Sequence, residues 1–122
     1  MKLVKHCYFV GSSKKAISAM PKDVKAGFGV AIYLAQTGAA AAHVKALKGF
    51  GGRGVLEVIE DHEGDTYRAV YTVKFATAIY VLHAFQKKSK SGIATPKHEI
   101  ELIAARLKEA EILHRHFASQ EK

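Results

Sequence analysis

The sequence predicts an α+β domain, a small antiparallel sheet with helices ahead of it and one long helix after it. Two stretches, Val24 to Ala35 and Ile100 to Leu113, carry apolar residues at intervals of three and four, the spacing of a single buried helix face. Between them, from Val55 onward, the pattern changes to period two for about thirty residues, the spacing of strands with one buried face. The breaks in that stretch are short enough for hairpins, which makes a meander of three antiparallel strands.

Taken in order, Val4 to Val10 is short, apolar and aromatic and ends at Gly11-Ser12-Ser13, so it reads as a first strand followed by a helix N-cap. A short helix over Lys14 to Ala19 follows. Pro21 suits the first turn of a second helix, where its missing N–H is no loss. That helix carries Val24, Phe28, Ala31, Ile32 and Ala35 on one stripe and stops near Gly38. From His43 to Gly54 the chain reads as a basic, glycine-bearing connection. Its glycines lack the spacing and the Gly-Lys-Ser/Thr ending of a phosphate-binding loop, so no nucleotide site is expected there.

The three strands are Val55–Glu60, Thr66–Val73 and Ala78–Phe85, broken at His62-Glu63-Gly64-Asp65 and at Lys74-Phe75-Ala76-Thr77. Alternation puts Tyr67, Ala69, Tyr71 and Val73 on one face of the middle strand and Arg68, Val70 and Thr72 on the other. A basic run, Lys87-Lys88-Ser89-Lys90, comes after the last strand. Thr95-Pro96 then gives an N-cap and a proline at the first helical position, opening a helix that runs to about Phe117. No internal repeat is visible, and the length of 122 residues suits one domain over 1–122.

Composition narrows the function classes. Hydrophobic residues at 48% and charged ones at 25% are the balance of a soluble globular chain. No apolar run approaches the ~20 residues of a membrane span, and the polar stretch after Val10 is too early for a signal peptide core. A cytoplasmic protein without membrane contact is expected. Nineteen Lys and Arg against 11 Asp and Glu leave a net charge of +8, and five of the acids fall between Glu57 and Asp65. The rest of the chain is therefore more basic than the total implies, which suits a polyanionic partner as well as it suits plain solubility.

Metal and hydrolase sites find little support. Cys7 is the only cysteine and lies in an apolar strand, where a thiolate is disfavoured. His114 and His116 are two apart on a helix and point to different sides; His98-Glu99 lacks the second histidine of a zinc-protease helix. No metal and no cofactor are expected, and no Gly-x-Ser-x-Gly elbow is present. What remains is Arg68, His83, the run Lys87-Lys88-Ser89-Lys90, and Lys74 at the intervening turn. An arginine in mid-strand is costly to bury alone, so it is either paired, with Glu57 the nearest candidate, or faces an anion. His83 alone reads as a core histidine and the lysines alone as a solvated loop. Together, on adjacent strands, they offer what phosphodiester chemistry needs: positive charge for a pentacovalent phosphate and groups that move protons near neutral pH.

The segments Leu47-Lys48-Gly49, Leu56-Glu57-Val58, Tyr67-Arg68-Ala69-Val70-Tyr71 and Tyr80-Val81-Leu82-His83-Ala84-Phe85-Gln86-Lys87-Lys88-Ser89 resemble the RelE/ParE superfamily of bacterial toxins. Phe9-Val10-Gly11-Ser12-Ser13-Lys14-Lys15 and Gly92-Ile93-Ala94-Thr95-Pro96-Lys97 are similar to its phage-derived HigB-like branch, so the likeness spans nearly the whole chain. The resemblance implies a RelE-like fold and the toxin of a type II toxin-antitoxin system, held in check by a cognate antitoxin, commonly of helix-turn-helix type. It implies a metal-independent endoribonuclease that cuts mRNA on the ribosome, the ribose 2′-hydroxyl attacking the adjacent phosphate. In that reading Arg68 stabilises the phosphate and Lys87 and Lys88 assist. His83 is the expected proton-moving group, with Tyr80 or a lysine as alternatives. Lys48, Lys74, Lys90 and Tyr80 hold substrate. Some relatives carry lysines where this chain has Glu57 and Glu60, which leaves Glu57 open as a participant. Two other readings stand beside it: a ParE-like toxin that inhibits gyrase, and a nucleic-acid-binding module without catalysis.

Overall fold

A computed structural model describes residues 4–52, 54–87 and 95–120. Five strands and three helices follow in the order β1 (His6–Phe9), α1 (Ser13–Ser18), α2 (Lys22–Gln36), β2 (Val44–Ala46), β3 (Val55–His62), β4 (Asp65–Thr72), β5 (Ala78–Lys87) and α3 (Lys97–Gln120). They form one α+β architecture around a five-stranded sheet of order β1-β5-β4-β3-β2, as the RelE-like expectation has it. The meander β3-β4-β5 is antiparallel throughout. The sheet as a whole is mixed, because β1 lies parallel to β5. The expected small antiparallel sheet is its core, β2 to β5, and the parallel edge strand β1 is added to it. Two helices stand between β1 and the strands that follow, room enough for the crossover a parallel pair requires.

The sequence reading also missed β2. Its three residues pair antiparallel with β3, Lys45 opposite Glu57, inside the segment that composition marks as a loop. Leu47 N–H donates to Val55 C=O at 3.0 Å and Val73 N–H to Gly54 C=O at 2.9 Å, so the glycine-bearing connection is sewn to the sheet. Gly54 sits at φ +71°, and a Cβ there would lie 3.2 Å from the Lys74 backbone nitrogen. The β3–β4 turn places both Glu63 and Gly64 at positive φ, 49° and 84°, the backbone of a two-residue hairpin whose twist matches its strands.

The two faces of the sheet carry separate apolar layers. Tyr67, Ala69 and Tyr71 of β4 pack with Val58, Ile79 and Val81 against Val24, Phe28 and Ala31 of α2. Val70, Tyr80, Leu82 and Phe85 pack on the other side against Ile103, Leu107 and Ala110 of α3. Arg68 is therefore on the α3 side, as alternation predicts. One irregularity changes what joins it there. Val70 pairs with His83 but Tyr71 with Val81, so Leu82 is an extra residue in β5. This bulge shifts the alternation, and His83, Phe85 and Lys87 come to face α3 together with Tyr80 and Leu82.

Polar pins fasten α3 along its length. Near its C-terminal end, Lys74 pairs with Glu111 and the Tyr80 hydroxyl meets His114 Nδ1 at 3.1 Å, with Phe75 stacked on His114 at 4.1 Å. Tyr8 stacks between Tyr80 and Phe117, at 5.3 and 4.9 Å. Among the described residues no helix is long and apolar enough to cross a membrane. Leu107, 1% exposed at the centre of the α3 layer, gives a direct test of how much that layer contributes. Leu107→Ala is expected to lower the unfolding free energy by about 2–5 kcal/mol, read from the urea midpoint.

Candidate functional site

Arg68 lies at the floor of a cavity of about 230 Å³ between β2, β3, β4 and the start of α3. Its guanidinium Nη1 donates to both carboxylate oxygens of Glu57, each at 3.1 Å. Arg68 is 3% exposed and Glu57 1%, so of the two readings open to a mid-strand arginine the ion pair holds. The register explains the partner: Ile59 stands opposite Arg68 and Glu57 opposite Val70, one step along the same face. Such a pair offsets its own desolvation only with further hydrogen bonds. Thr95 supplies two, its hydroxyl donating to Glu57 Oε2 at 2.9 Å and accepting from Arg68 Nη1 at 3.2 Å. Thr95 lies one residue ahead of its expected N-cap place. The Glu99 and Ile100 N–H groups go to Pro96 C=O instead, both at 3.1 Å.

The remaining lining is basic and apolar. Lys45 and Lys48 line the cavity with Leu47 and Ile100, and Glu57 is the only acid among the described residues that line it. Lys87 is buried at the end of β5. Its ammonium pKa is lowered from the ordinary value, chiefly by burial, then by the Arg68 charge; Lys45 lowers it further while Glu57 opposes. Lys45, Glu57, Arg68 and Lys87 thus form one electrostatic cluster. Sequence reading missed Lys45 because β2 was missed; the period-two pairing of Val44 with Val58 across a three-residue strand is too short a signal to find.

His83 is placed elsewhere. Its Nε2 is 3.2 Å from Glu99 Oε1 and its Nδ1 3.3 Å from Arg106 Nη1. Arginine only donates, so Nδ1 accepts and the proton sits on Nε2, donated to Glu99. Arg106 also donates to Leu82 C=O at 2.9 Å and to the Ser12 hydroxyl at 3.0 Å, tying α3 to β5 and to the start of α1. Gly11, at φ +57°, makes room: a Cβ there would lie 2.9 Å from the Arg106 Nε. Burial lowers the His83 pKa below its ordinary value, and Arg106 and His98 lower it further, against Glu99, whose hydrogen bond and charge raise it. Phe85 faces Arg68 across the strands and stacks on His83 at 5.0 Å, so the expected meeting of Arg68 and His83 has an aromatic ring beside it, and His83 does not line the cavity.

Of the other residues expected to bind substrate, Lys48 lines the cavity. Tyr80 is fully buried and its hydroxyl is engaged by His114, its pKa pushed up to about 12 by burial and by Tyr8. Lys74 pairs with Glu111 beyond the far end of β4, about 20 Å along the chain from Arg68 at strand rise. Lys88 and Lys90 lie outside the described residues. Cys7 is half-buried, its thiol pushed up to about 11 by burial. Among the described residues no group of three or more His, Cys, Asp or Glu is arranged to hold a metal ion.

A family model described as phage derived protein Gp49-like (DUF891) matches residues 15–108, a span that holds all of β2 to β5 and the first half of α3. No curated protein matches the chain.

Glu57→Gln leaves a buried guanidinium without its counter-charge and is expected to cost about 3–5 kcal/mol. The double change Glu57→Leu with Arg68→Met should recover most of that loss, a double-mutant cycle in urea being the measurement. The His83 pKa is lowered on folding, so its stabilising share is complete above its ordinary value of 6.5 and is lost as pH falls below it. His83→Gln should flatten the fall in stability as pH drops below 6.5, followed by denaturation at stepped pH.

Proposed function

This chain belongs to the phage-derived Gp49-like family, and we propose that it is a HigB-like toxin of the RelE/ParE superfamily that cleaves mRNA. The observation that carries this reading is the cavity over Arg68, where Lys45, Lys48 and Arg68 stand against a single carboxylate, with Lys87 beside them in the same electrostatic cluster. Single-stranded RNA brings a phosphodiester and an adjacent 2′-hydroxyl, and the cluster has a group for each.

In this proposal a phosphate enters from the Lys45 and Lys48 side and its oxygens are held against Arg68. The 2′-hydroxyl loses its proton to Glu57, and its oxygen attacks the neighbouring phosphorus. The O2′–P bond forms as the P–O5′ bond breaks, and the leaving 5′ oxygen takes a proton from Lys87. The products are a 2′,3′-cyclic phosphate and a 5′-hydroxyl. A lysine whose pKa is lowered by burial and by Arg68 gives up its proton more readily than a free one, which suits it to this step. Positive charge fixed in a partly enclosed site stabilises the extra negative charge of the pentacovalent phosphate. His83 serves the fold here and Tyr80 the core. The partners are mRNA, the ribosome that presents it and a cognate antitoxin.

The test maps mRNA 5′ ends after brief induction in cells. Wild type should generate new ends and Arg68→Ala should reduce them by about 10²–10³-fold. Because Arg68→Ala strands Glu57, Lys87→Met serves as a second variant, with an expected loss of about 10²-fold. Circular dichroism verifies that both remain folded. New ends that persist undiminished in both folded variants overturn the reading. A halt in DNA synthesis with intact mRNA points instead to gyrase inhibition, and RNA binding without any cut product to a binding module. Lys45→Ala combined with Lys48→Ala should flatten the salt dependence of RNA binding, lowering the slope of log K against log salt by about 1.4, roughly 0.7 for each lysine.

A further inference from the structure

We propose that Thr95 is a positioning residue that decides which oxygen of Glu57 takes a proton. The inference rests on the ribonuclease reading above and deepens it. Glu57 Oε2 accepts from both Arg68 Nη1 at 3.1 Å and the Thr95 hydroxyl at 2.9 Å. Oε1 accepts from Arg68 Nη1 at 3.1 Å. Nη1 carries two hydrogens, so with one turned to the Thr95 oxygen the other is shared by Oε1 and Oε2; Oε2 has the Thr95 hydroxyl in addition, which leaves Oε1 the more open oxygen to an incoming proton. The same hydroxyl accepts from Arg68 Nη1 at 3.2 Å. A hydroxyl has one hydrogen, and it is committed to Glu57, so its oxygen lone pairs turn to the guanidinium and fix both partners with one side chain.

The start of α3 places Thr95, which is joined through Pro96 to a first turn whose Glu99 and Ile100 N–H groups close on Pro96 C=O. Further along α3, Ile103 is fully buried and Arg106 reaches Leu82 C=O. α3 therefore sets where the Thr95 oxygen stands, and the oxygen sets the orientation of the buried pair. Valine has the same shape without the hydroxyl, and serine keeps the hydroxyl without the methyl.

Two measurements on the full-length chain test this. Cleavage kinetics on an RNA substrate should show Thr95→Val losing about tenfold to a hundredfold in kcat, with KM within about twofold of wild type. Thr95→Ser should stay within about threefold of wild type on both. Independently of cleavage, the Arg68 guanidinium 15N–1H resonances should be distinct in wild type and Thr95→Ser, and averaged or shifted in Thr95→Val. Wild-type kcat in Thr95→Val together with unchanged Arg68 resonances overturns the proposal. So does a folded Thr95→Ser that is as impaired as Thr95→Val, since packing of the methyl would then be what matters. If the wild-type chain cuts no RNA, the ribonuclease reading falls, and the resonances alone decide the Thr95 assignment.

Discussion

The buried pair of Arg68 and Glu57 is the constraint around which the α3 side of the sheet is arranged. Two charges that are 3% and 1% exposed stand on the face whose apolar layer includes Val55, Val70, Phe85 and Ile103. Hydrophobic residues of the same volume would be at least as stable there. The pair therefore needs company that apolar packing does not require: the Thr95 hydroxyl on both partners, Lys45 across from Glu57 on β2, and Lys87 within electrostatic reach at the end of β5. Each of these comes from a different part of the chain, so the pair also fixes how β2, the end of β5 and the start of α3 meet.

That meeting depends on the bulge at Leu82. Without the extra residue, strict alternation would send His83, Phe85 and Lys87 to the α2 side once Tyr80 faces α3. With it, one strand supplies Tyr80 to the aromatic cluster under the C-terminal half of α3 and Lys87 to the cluster around Arg68. His83 stands next to the bulge as a neutral ring between Glu99 and Arg106. The same guanidinium takes Leu82 C=O, the carbonyl of the extra residue. The irregularity and the network that accompanies it thus occur at one place, between the basic cavity and the aromatic end.

Much of this was legible in the sequence, and the exceptions share a cause. Period and turn chemistry located both long helices and all three meander strands, and alternation put Arg68 on the face away from Tyr67 and Tyr71. Glu57 was in view as its partner. These are local signals repeated over many residues. What escaped is carried by single residues or by distant pairing. β2 has three residues, so Lys45 looked like part of a loop. The parallel β1–β5 pair joins residues about seventy apart in sequence, which periodicity cannot see. A bulge adds one residue and has no compositional mark in Tyr80-Val81-Leu82-His83. Thr95 has the sequence of a helix cap, and only the position of α3 turns its hydroxyl to the ion pair. Strand adjacency alone brings His83 near Arg68 and does not show that Phe85 stands opposite Arg68 and stacks on the His83 ring.

The ion pair bears on function through the likeness between a carboxylate and a phosphate. Both present two or more oxygens to a guanidinium, and one Arg68 nitrogen suffices for both oxygens of Glu57, on a group that carries five N–H donors. A site that holds arginine with glutamate is already shaped for an anion. In the proposed function the buried arginine is already held by the glutamate, so the phosphate arrives where other cations compensate its approach. Lys45 and Lys48 on the cavity wall are placed for that. In the proposed reaction a phosphodiester brings negative charge to Lys45, Lys48, Arg68 and Lys87 around Glu57, and this is the physical reason to propose the pair as a binding site's floor as well as a strut of the fold.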